Sequence, residues 1–297
     1  MRIAELGEFG LIKRIKKSVR TDSSVIKGIG DDCAVIKFNQ SRYLLYTSDL
    51  LIQGVDFTPK DKPYLVGRKA LAVSISDIAA CGGLPRFALV SLGLPKRSSV
   101  RLIDEIYRGI NYFAKKFGIN IVGGDLSSAR QLTIDISLLG MVEKENLTLR
   151  SGARVEDIIF VTGSFGGSIR GKHLDFSPRL KEARFLVRNF KIGSMIDVSD
   201  GLAQDLGHIL EASEVGGIIY EDLIPLSKRC RGLKDALYSG EDFELLFTLP
   251  LREARRLSVK RDDFIPIGKI IQKKFGLHLM DRRGRENKLN PRGFTHF

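Results

Sequence analysis

The sequence is poor in cysteine and histidine, the residues that most often build disulfide frameworks and structural zinc sites. Its 297 residues contain three cysteines, Cys33, Cys81 and Cys230, and four histidines. An odd number of widely spaced cysteines without a C-x-x-C pair argues against both kinds of site. The same pattern favours a reducing compartment, so we expect the protein to be cytoplasmic.

Long apolar runs are also missing from the sequence. The most apolar candidate, FALVSLGLP, is about half as long as a membrane-spanning helix requires. The first ten residues, MRIAELGEFG, contain acidic side chains and no long apolar core, so we expect neither a secretory signal nor a membrane partner. With 43% hydrophobic residues, the chain is long enough to form two globular domains.

Acidic residues are outnumbered by basic ones, which gives a formal net charge of +13. Residues 251–297 contribute much of this excess, with thirteen Lys or Arg against five Asp or Glu. A basic surface of this kind can bind nucleic acid. However, aromatic residues do not interleave with the basic ones in a stacking pattern, and no zinc-finger or RNP signature is present. A basic protein that binds anionic small molecules is the favoured interpretation, and nucleic-acid binding is the alternative.

Strand and helix patterns alternate along the chain, which predicts an α/β (α+β) fold. The stretch PYLVGRKALAVSISDIAACGGLP predicts a helix that ends at its glycine pair. In VRLIDEIYRGINYFAKKFG, apolar residues three and four positions apart predict a second helix. Apolar segments before, between and after these helices predict strands. The pattern restarts after residue 145, so we expect an N-terminal domain at 1–145 and a C-terminal domain at 146–297.

Acidic residues stand at the ends of several of these apolar segments. Two of them have simple structural explanations, because Asp200 could cap the helix that follows it and Asp125 could belong to a glycine turn. Asp77 is harder to explain, since it falls in the last turn of an apolar helix, where the helix dipole disfavours an anion. The full set is Asp31, Asp32, Asp49, Asp77, Asp125, Asp197 and Asp200.

Together these acids predict a magnesium site. So many carboxylates stay ionised together only if a divalent cation neutralises them, and oxygen ligands favour Mg²⁺ over zinc or iron. Glycine-rich turns such as GIGDD, IVGGD and VTGSFGGS can bring backbone N–H groups to phosphate oxygens, and the combination indicates phosphate chemistry. We do not expect a P-loop at GGSIRGKH, because His173 stands where that motif needs a Ser or Thr hydroxyl.

These motifs resemble those of the thiamine-monophosphate kinase family, within the aminoimidazole ribonucleotide synthetase superfamily. The stretches that carry the resemblance follow the family's order: GIGDDCAVI, TSDLLIQGVDF, KALAVSISDIAACGGLP, IVGGD, RSGARVEDIIFVTG, MIDVSDGLAQDLGHI, SGEDFELLF and GFTHF. The resemblance implies ATP-dependent phosphorylation of thiamine monophosphate to thiamine diphosphate, the last step of thiamine diphosphate biosynthesis. It also implies a two-domain fold in which N-terminal sheets pair across a homodimer, with ATP and several Mg²⁺ ions in the cleft.

The resemblance further assigns roles to residues of this chain. The metal ligands would be Asp32, Thr47, Ser48, Asp49, Asp77, Asp125, Asp197 and Asp200. The ATP contacts would be Tyr107, Gly124, Asp125, Arg150 and Ser199, with Tyr107 beside the adenine and Arg150 on phosphate. The substrate contacts would be Asp56, Glu241 and Phe294. Two departures concern substrate contacts: Asp56 stands where bacterial relatives often have a histidine, and YSGED has one glycine where a pair is usual.

The acceptor of this reaction is a phosphate monoester, which is largely dianionic at neutral pH and needs no general base. The obstacle is repulsion between two polyanions. We expect direct in-line transfer without a phospho-enzyme, in which the catalytic groups act through the Mg²⁺ that they hold. These groups would be Asp49, Asp77, Asp125, Asp197 and Asp200.

Other ATP-dependent members of the superfamily remain alternatives, since they share the acids and glycine turns. They make aminoimidazole ribonucleotide, formylglycinamidine ribonucleotide or selenophosphate, or mature hydrogenase. A selenophosphate enzyme would normally carry a reactive cysteine or selenocysteine in a glycine-rich N-terminal segment. Only Cys33 comes near that position, and it follows the acids.

Overall fold

The computed structural model describes residues 2–260 and 263–295, and these residues form two seven-stranded sheets with helices packed against them. The strands of the first sheet are β1 (Val25–Lys27), β2 (Ala34–Lys37), β3 (Arg42–Ile52), β4 (Leu84–Leu94), β5 (Asn120–Gly123), β6 (Leu126–Ser128) and β7 (Thr133–Glu143). Their order in the sheet is β1-β2-β3-β7-β4-β5, and β6 pairs with β4. The helices of this half are α1 (Ile3–Ser18), α2 (Pro63–Ala80) and α3 (Val100–Phe117).

The strands of the second sheet are β8 (Ile158–Thr162), β9 (Ser194–Asp197), β10 (Gly216–Tyr220), β11 (Leu245–Leu249), β12 (Phe264–Ile271), β13 (Leu277–Met280) and β14 (Glu286–Lys288). Their order in the sheet is β14-β13-β10-β12-β8-β11-β9. The helices of this half are α4 (Lys172–Asp175), α5 (Leu180–Asn189), α6 (Leu202–Ser213), α7 (Leu233–Tyr238) and α8 (Leu251–Lys260). The edge strand β9 packs against α2 and so faces the first half.

The long strands of the first sheet separate an inner face from an outer face. Along β7 every second residue is buried, as expected for a strand with one face on the core. β3 pairs antiparallel with β7 over its whole length, and β7 also pairs with β4. On β3 the buried positions include Leu45, Thr47 and Leu51, so polar and apolar side chains share the inner face.

Helix α2 lies between the two halves and is buried along most of its length. It contacts β3, β7 and β4 of the first sheet, and also α3, α4, α5 and β9. Its packing against α3 is very close, because a Cβ at Gly67 would come 2.0 Å from the carbonyl oxygen of Ile106. Glycine alone permits this approach of two helix backbones. The C-terminal end of α2 is thereby surrounded by residues of both halves.

The largest hydrophobic core runs across the two sheets. It includes Leu45 and Ile136 on the inner face of the first sheet, Ile75 of α2, and Phe160 and Phe247 of the second sheet. A second core lies between the other face of the second sheet and α6. The last strand of the first sheet ends at residue 143 and the first strand of the second sheet begins at residue 158. The two halves nevertheless share the largest core.

The predicted α/β (α+β) class is confirmed. The helix predicted to end at the glycine pair forms as α2, and the helix predicted from apolar spacing forms as α3. The sequence analysis did not predict α1, α5 or α8. Among the helices in the described part of the chain, none has the length and apolar character needed to span a membrane.

Candidate active site

The inner face of β3 meets the C-terminal part of α2 at a group of hydrogen-bonded polar side chains. The Thr47 hydroxyl donates to Asp77 Oδ2 over 2.5 Å, and the Ser74 hydroxyl donates to Asp49 Oδ2 over 2.6 Å. Thr47 and Asp49 share a strand face, and Ser74 and Asp77 share a helix face, because of their spacings of two and three residues. Strand and helix periodicity thus bring three expected metal ligands together.

Asp32, Asp77 and Asp197 each place a carboxylate oxygen within 4.8 Å of the other two, and we call this group the carboxylate cluster. Asp32 lies just before β2, Asp77 in the last turn of α2, and Asp197 at the end of β9. Arg150 holds Asp32 Oδ1, with Nη2 at 2.7 Å and Nε at 3.1 Å. Among the described residues Asp32 Oδ2 has no hydrogen-bond partner, although it is buried. A cation would satisfy this oxygen.

Burial raises the pKa of the carboxyl groups in and around the cluster, because the charged forms lose contact with water. The pKa of Asp32 rises to about 7, although Arg150 opposes the rise. The pKa values of Asp49 and Asp197 each rise to about 6. Burial and the neighbouring negative charges raise the pKa of Asp77 well above its usual value. A divalent cation would relieve this repulsion.

Asp200 lies between β9 and α6, next to the cluster. It does not cap α6, since the N-cap residue is Gly201 and no side chain caps it there. Asp205 Oδ2, from within the helix, accepts hydrogen bonds from the N–H groups of Asp200 and Gly201, each over 3.1 Å, and so holds the turn that precedes α6. A carboxylate oxygen of Asp200 also lies within 4.8 Å of a carboxylate oxygen of Asp205 and of a ring nitrogen of His208. The sequence analysis did not place this histidine near the acids.

Two expected metal ligands, Ser48 and Asp125, have side chains outside this cluster. Ser48 follows Thr47 on β3 and therefore points to the outer face of the sheet, where its hydroxyl donates to Asp135 Oδ1 over 2.8 Å. Asp125 is exposed immediately before β6, which lies three strands from β3, or roughly 14 Å at ordinary strand spacing. Sequence analysis did not single out Asp135, which lies within β7. Asp49 was expected at the end of an apolar segment, but it lies inside β3, paired with Ile136.

The expected ATP contacts occupy different surroundings. A Cβ at Gly124 would come 1.7 Å from the carbonyl oxygen of Val90, so glycine is required there for close packing against β4. Tyr107 is partly buried and packs against the large core. Ser199 lies just after Asp197, and its carbonyl oxygen accepts a hydrogen bond from Glu241 N–H over 2.7 Å.

The three residues expected to contact the substrate differ in their bonding partners. Asp56 Oδ2 accepts a hydrogen bond from Ile52 N–H over 2.7 Å, so its carboxylate closes the turn after β3. Phe294 has an exposed ring, and its N–H donates to the carbonyl oxygen of Asp200 over 2.9 Å. Glu241 Oε2 lies 2.5 Å from Lys69 Nζ. Lys69 was not predicted as part of the site.

Comparison with known proteins identifies the family. Residues 30–142 match the family described as AIR synthase related protein, N-terminal domain. The thiamine-monophosphate kinase of Buchnera aphidicola subsp. Schizaphis graminum is 34% identical over 99% of both chains, and that of Bacillus subtilis is 36% identical over 84% of this chain and 85% of the relative. The chain belongs to the thiamine-monophosphate kinase family. A solved structure of AaThiL complexed with AMPPCP and TMP has a TM-score of 0.89 and 32% identity, covering 100% of this chain and 99% of that chain.

In this member of the thiamine-monophosphate kinase family, the P-loop-like stretch at 166–173 is held by carboxylates of the same chain. Lys172 Nζ lies 2.7 Å from Glu244 Oε1, and Arg179 Nε lies 2.5 Å from Glu244 Oε2. Asp242 accepts hydrogen bonds from the Ser168 hydroxyl and from Gly166 N–H. The lysine of the stretch is therefore already paired with a buried carboxylate, and the SGEDFEL motif fixes the glycine-rich turn.

Proposed function

We propose that this chain transfers the γ-phosphoryl group of ATP to the phosphate of thiamine monophosphate, giving thiamine diphosphate and ADP. The observation that carries the proposal is the buried carboxylate cluster, to which both halves contribute. Two phosphate groups repel each other by about 4 kcal/mol per pair of unit charges at ~4 Å, for an effective dielectric constant near ~20. Transfer between them requires positive charge at the place where they meet, and the cluster is suited to hold it.

The residues present fit Mg²⁺. The cluster offers oxygen ligands, and one buried carboxylate oxygen has no hydrogen-bond donor among the described residues. The residues that would hold the ions are Asp32, Thr47, Ser48, Asp49, Asp77, Asp125, Asp197 and Asp200. Bound Mg²⁺ would neutralise phosphate charge during transfer. For Ser48 and Asp125 the support is the resemblance alone, since their side chains lie outside the cluster.

The other residues of the site bind and orient the two substrates. Since the acceptor phosphate is already ionised at neutral pH, the chain needs no general base. Asp32 holds the Arg150 guanidinium beside the cluster, where it would contact phosphate. The further ATP contacts in this proposal are Tyr107, Gly124, Asp125 and Ser199. The acceptor contacts are Asp56, Glu241 and Phe294.

A homodimer is part of this proposal, with the outer face of the first sheet as its interface. Tyr46 and Leu50 on β3 and Phe87 and Leu89 on β4 are between 40% and 54% exposed on this face. Large apolar side chains clustered on a sheet surface are typical of protein–protein interfaces. We further propose the domain division at 1–145 and 146–297, and a cytoplasmic location, which the three free cysteines support.

The activity is tested by incubating the purified protein with ATP, MgCl₂ and thiamine monophosphate and separating the products by chromatography. We expect thiamine diphosphate and ADP in equal amounts. Parallel reactions offer formylglycinamidine ribonucleotide or selenide as the acceptor. Phosphorylation in a parallel reaction, with none of thiamine monophosphate, would overturn the proposal in favour of another superfamily member.

A further inference from the structure

Lys69 is a buried charged residue whose role the fold alone does not explain. It lies within α2, whose buried residues are mostly apolar, and it is 2% exposed. Its Nζ donates to the backbone oxygen of Asp56 over 2.9 Å and to Glu241 Oε2 over 2.5 Å. Burying an ammonium group is unfavourable unless partners compensate for the lost water. An apolar residue would fill the same space without this requirement.

The segment that carries Glu241 has an unusual backbone. Gly240, Glu241 and Phe243 have φ values of 68°, 60° and 48°. Residues other than glycine rarely adopt this left-handed region, and such strain persists where the surroundings enforce it, often at functional sites. Here Glu241 N–H donates to Ser199 O over 2.7 Å, and Phe243 N–H donates to Val198 O over 2.8 Å. The segment is thus fixed against the chain that follows β9 and Asp197.

Lys69 joins two segments that both carry expected acceptor contacts. One is the turn containing Asp56, whose own carboxylate is bound to Ile52 N–H. The other is the segment containing Glu241, whose side chain remains 23% exposed. Among the described residues, the bond from Lys69 to the Glu241 carboxylate goes to Oε2, which leaves Oε1 available to a ligand. Lys69 therefore determines the direction in which Oε1 points.

We propose that Lys69 is a positioning residue that aims Glu241 Oε1 at the cationic ring system of the phosphate acceptor. This inference rests on the proposed function, because the thiazolium ring of thiamine monophosphate carries the positive charge that a carboxylate attracts. The phosphate groups are bound elsewhere, at the carboxylate cluster. Loss of Lys69 should consequently weaken binding of the acceptor and leave binding of ATP largely intact.

The test compares Lys69→Met with the wild type in steady-state kinetics. We expect the KM for thiamine monophosphate to rise about tenfold, while the KM for ATP and kcat at saturating acceptor change less than about twofold, since one well-formed charged contact corresponds to about tenfold in affinity. Lys69→Arg should restore part of the KM. Adding Glu241→Gln to Lys69→Met should raise the KM little further, because both changes remove the same contact.

A matched control is Arg184→Met. Arg184 is also a buried cation that bonds a backbone carbonyl, that of Gly82, and a carboxylate, that of Glu143. It should lower thermal stability without changing the KM for thiamine monophosphate. If Lys69→Met is insoluble, Lys69→Gln replaces it, because its neutral amide can still donate to the Asp56 carbonyl.

The possible failures are distinguishable. If the wild type forms no thiamine diphosphate, the proposed function is wrong. If the wild type forms it and the Lys69 variants keep the wild-type KM for the acceptor, the inference about Lys69 alone is wrong. Equal increases in both KM values, or additive effects in the double variant, would assign Lys69 to the stability of the fold and would likewise overturn the inference.

Discussion

At the scale of single residues, the Asp77 carboxylate lies where neither its helix nor the core favours an ionised group. The last turn of α2 contains no basic residue, and the helix dipole is negative at this end. Burial and the charges of Asp49, Asp197 and Asp32 raise its pKa further. A bound cation would explain why the fold tolerates an acid here.

Asp77→Asn removes the charge of this side chain and keeps its shape. The amide preserves the volume and can still accept the hydrogen bond from Thr47, but it is a poor metal ligand. We expect kcat to fall by about 100-fold or more, because loss of a group that only orients a metal ligand already costs about 10- to 100-fold, with no loss of thermal stability in the absence of Mg²⁺. Steady-state kinetics and thermal melting measure the two effects. Asp104→Asn changes an exposed acid on α3 and is the control; wild-type kcat in both variants would exclude Asp77 from the reaction.

At the scale of elements, α6 depends on one internal side chain for its start. Asp205→Ala leaves the N–H groups of Asp200 and Gly201 without their acceptor. We expect the free energy of unfolding to fall by about 1–3 kcal/mol. Asp205→Asn, which keeps an acceptor oxygen, should lose less. Urea denaturation measures both variants, and equal stability of Asp205→Ala and the wild type would refute this role of Asp205.

A second element-level contact joins α5 to the end of β7. Burial acts to raise the pKa of Glu143, but hydrogen bonds from Asn146 and Arg184 and the charge of Arg184 outweigh it, so the pKa falls to about 2. The ionised form is therefore favoured in the folded state. Its contribution to stability is fully present above the unfolded-state pKa of about 4.5 and is lost as the pH falls towards about 2.

The Glu143→Gln variant tests this pH dependence. The wild type should exceed it in free energy of unfolding by about 1–3 kcal/mol at pH 6, and by less at pH 3. Urea denaturation at the two pH values gives the comparison. A difference that is constant or grows towards low pH would contradict the assigned pKa direction.

Some elements were predictable from sequence because apolar residues at a regular spacing, or a proline and glycines at the segment ends, marked them. α3 has apolar residues at helical spacing, and β7 alternates buried and partly buried positions. By contrast, α1 has no buried residue, and the buried face of α5 includes Arg184, which interrupts its apolar stripe. In the site, acids at segment ends were found because such positions are conspicuous. Lys69 and Asp135 lie inside elements, and only the tertiary structure reveals their partners.

At the scale of the whole molecule, the outer face of the first sheet is the surface that the proposed dimer would bury. Leu50→Glu places a charge in this apolar patch and should convert a dimer into a monomer. Light scattering coupled to size-exclusion chromatography measures the mass. Val100→Glu, at an exposed position on α3, should leave the mass unchanged. A monomeric wild type, or a Leu50→Glu variant that remains dimeric, would contradict this interface.

The central claim is that carboxylates far apart in the sequence close around α2 into one cation-binding site. Titration with Mn²⁺, a paramagnetic substitute that carboxylates also bind, tests this claim most directly, because electron paramagnetic resonance reports the free ion. We expect saturable binding by the wild type and by Asp104→Asn, and at least about tenfold weaker binding by Asp77→Asn. Equal affinity in all three proteins would contradict it.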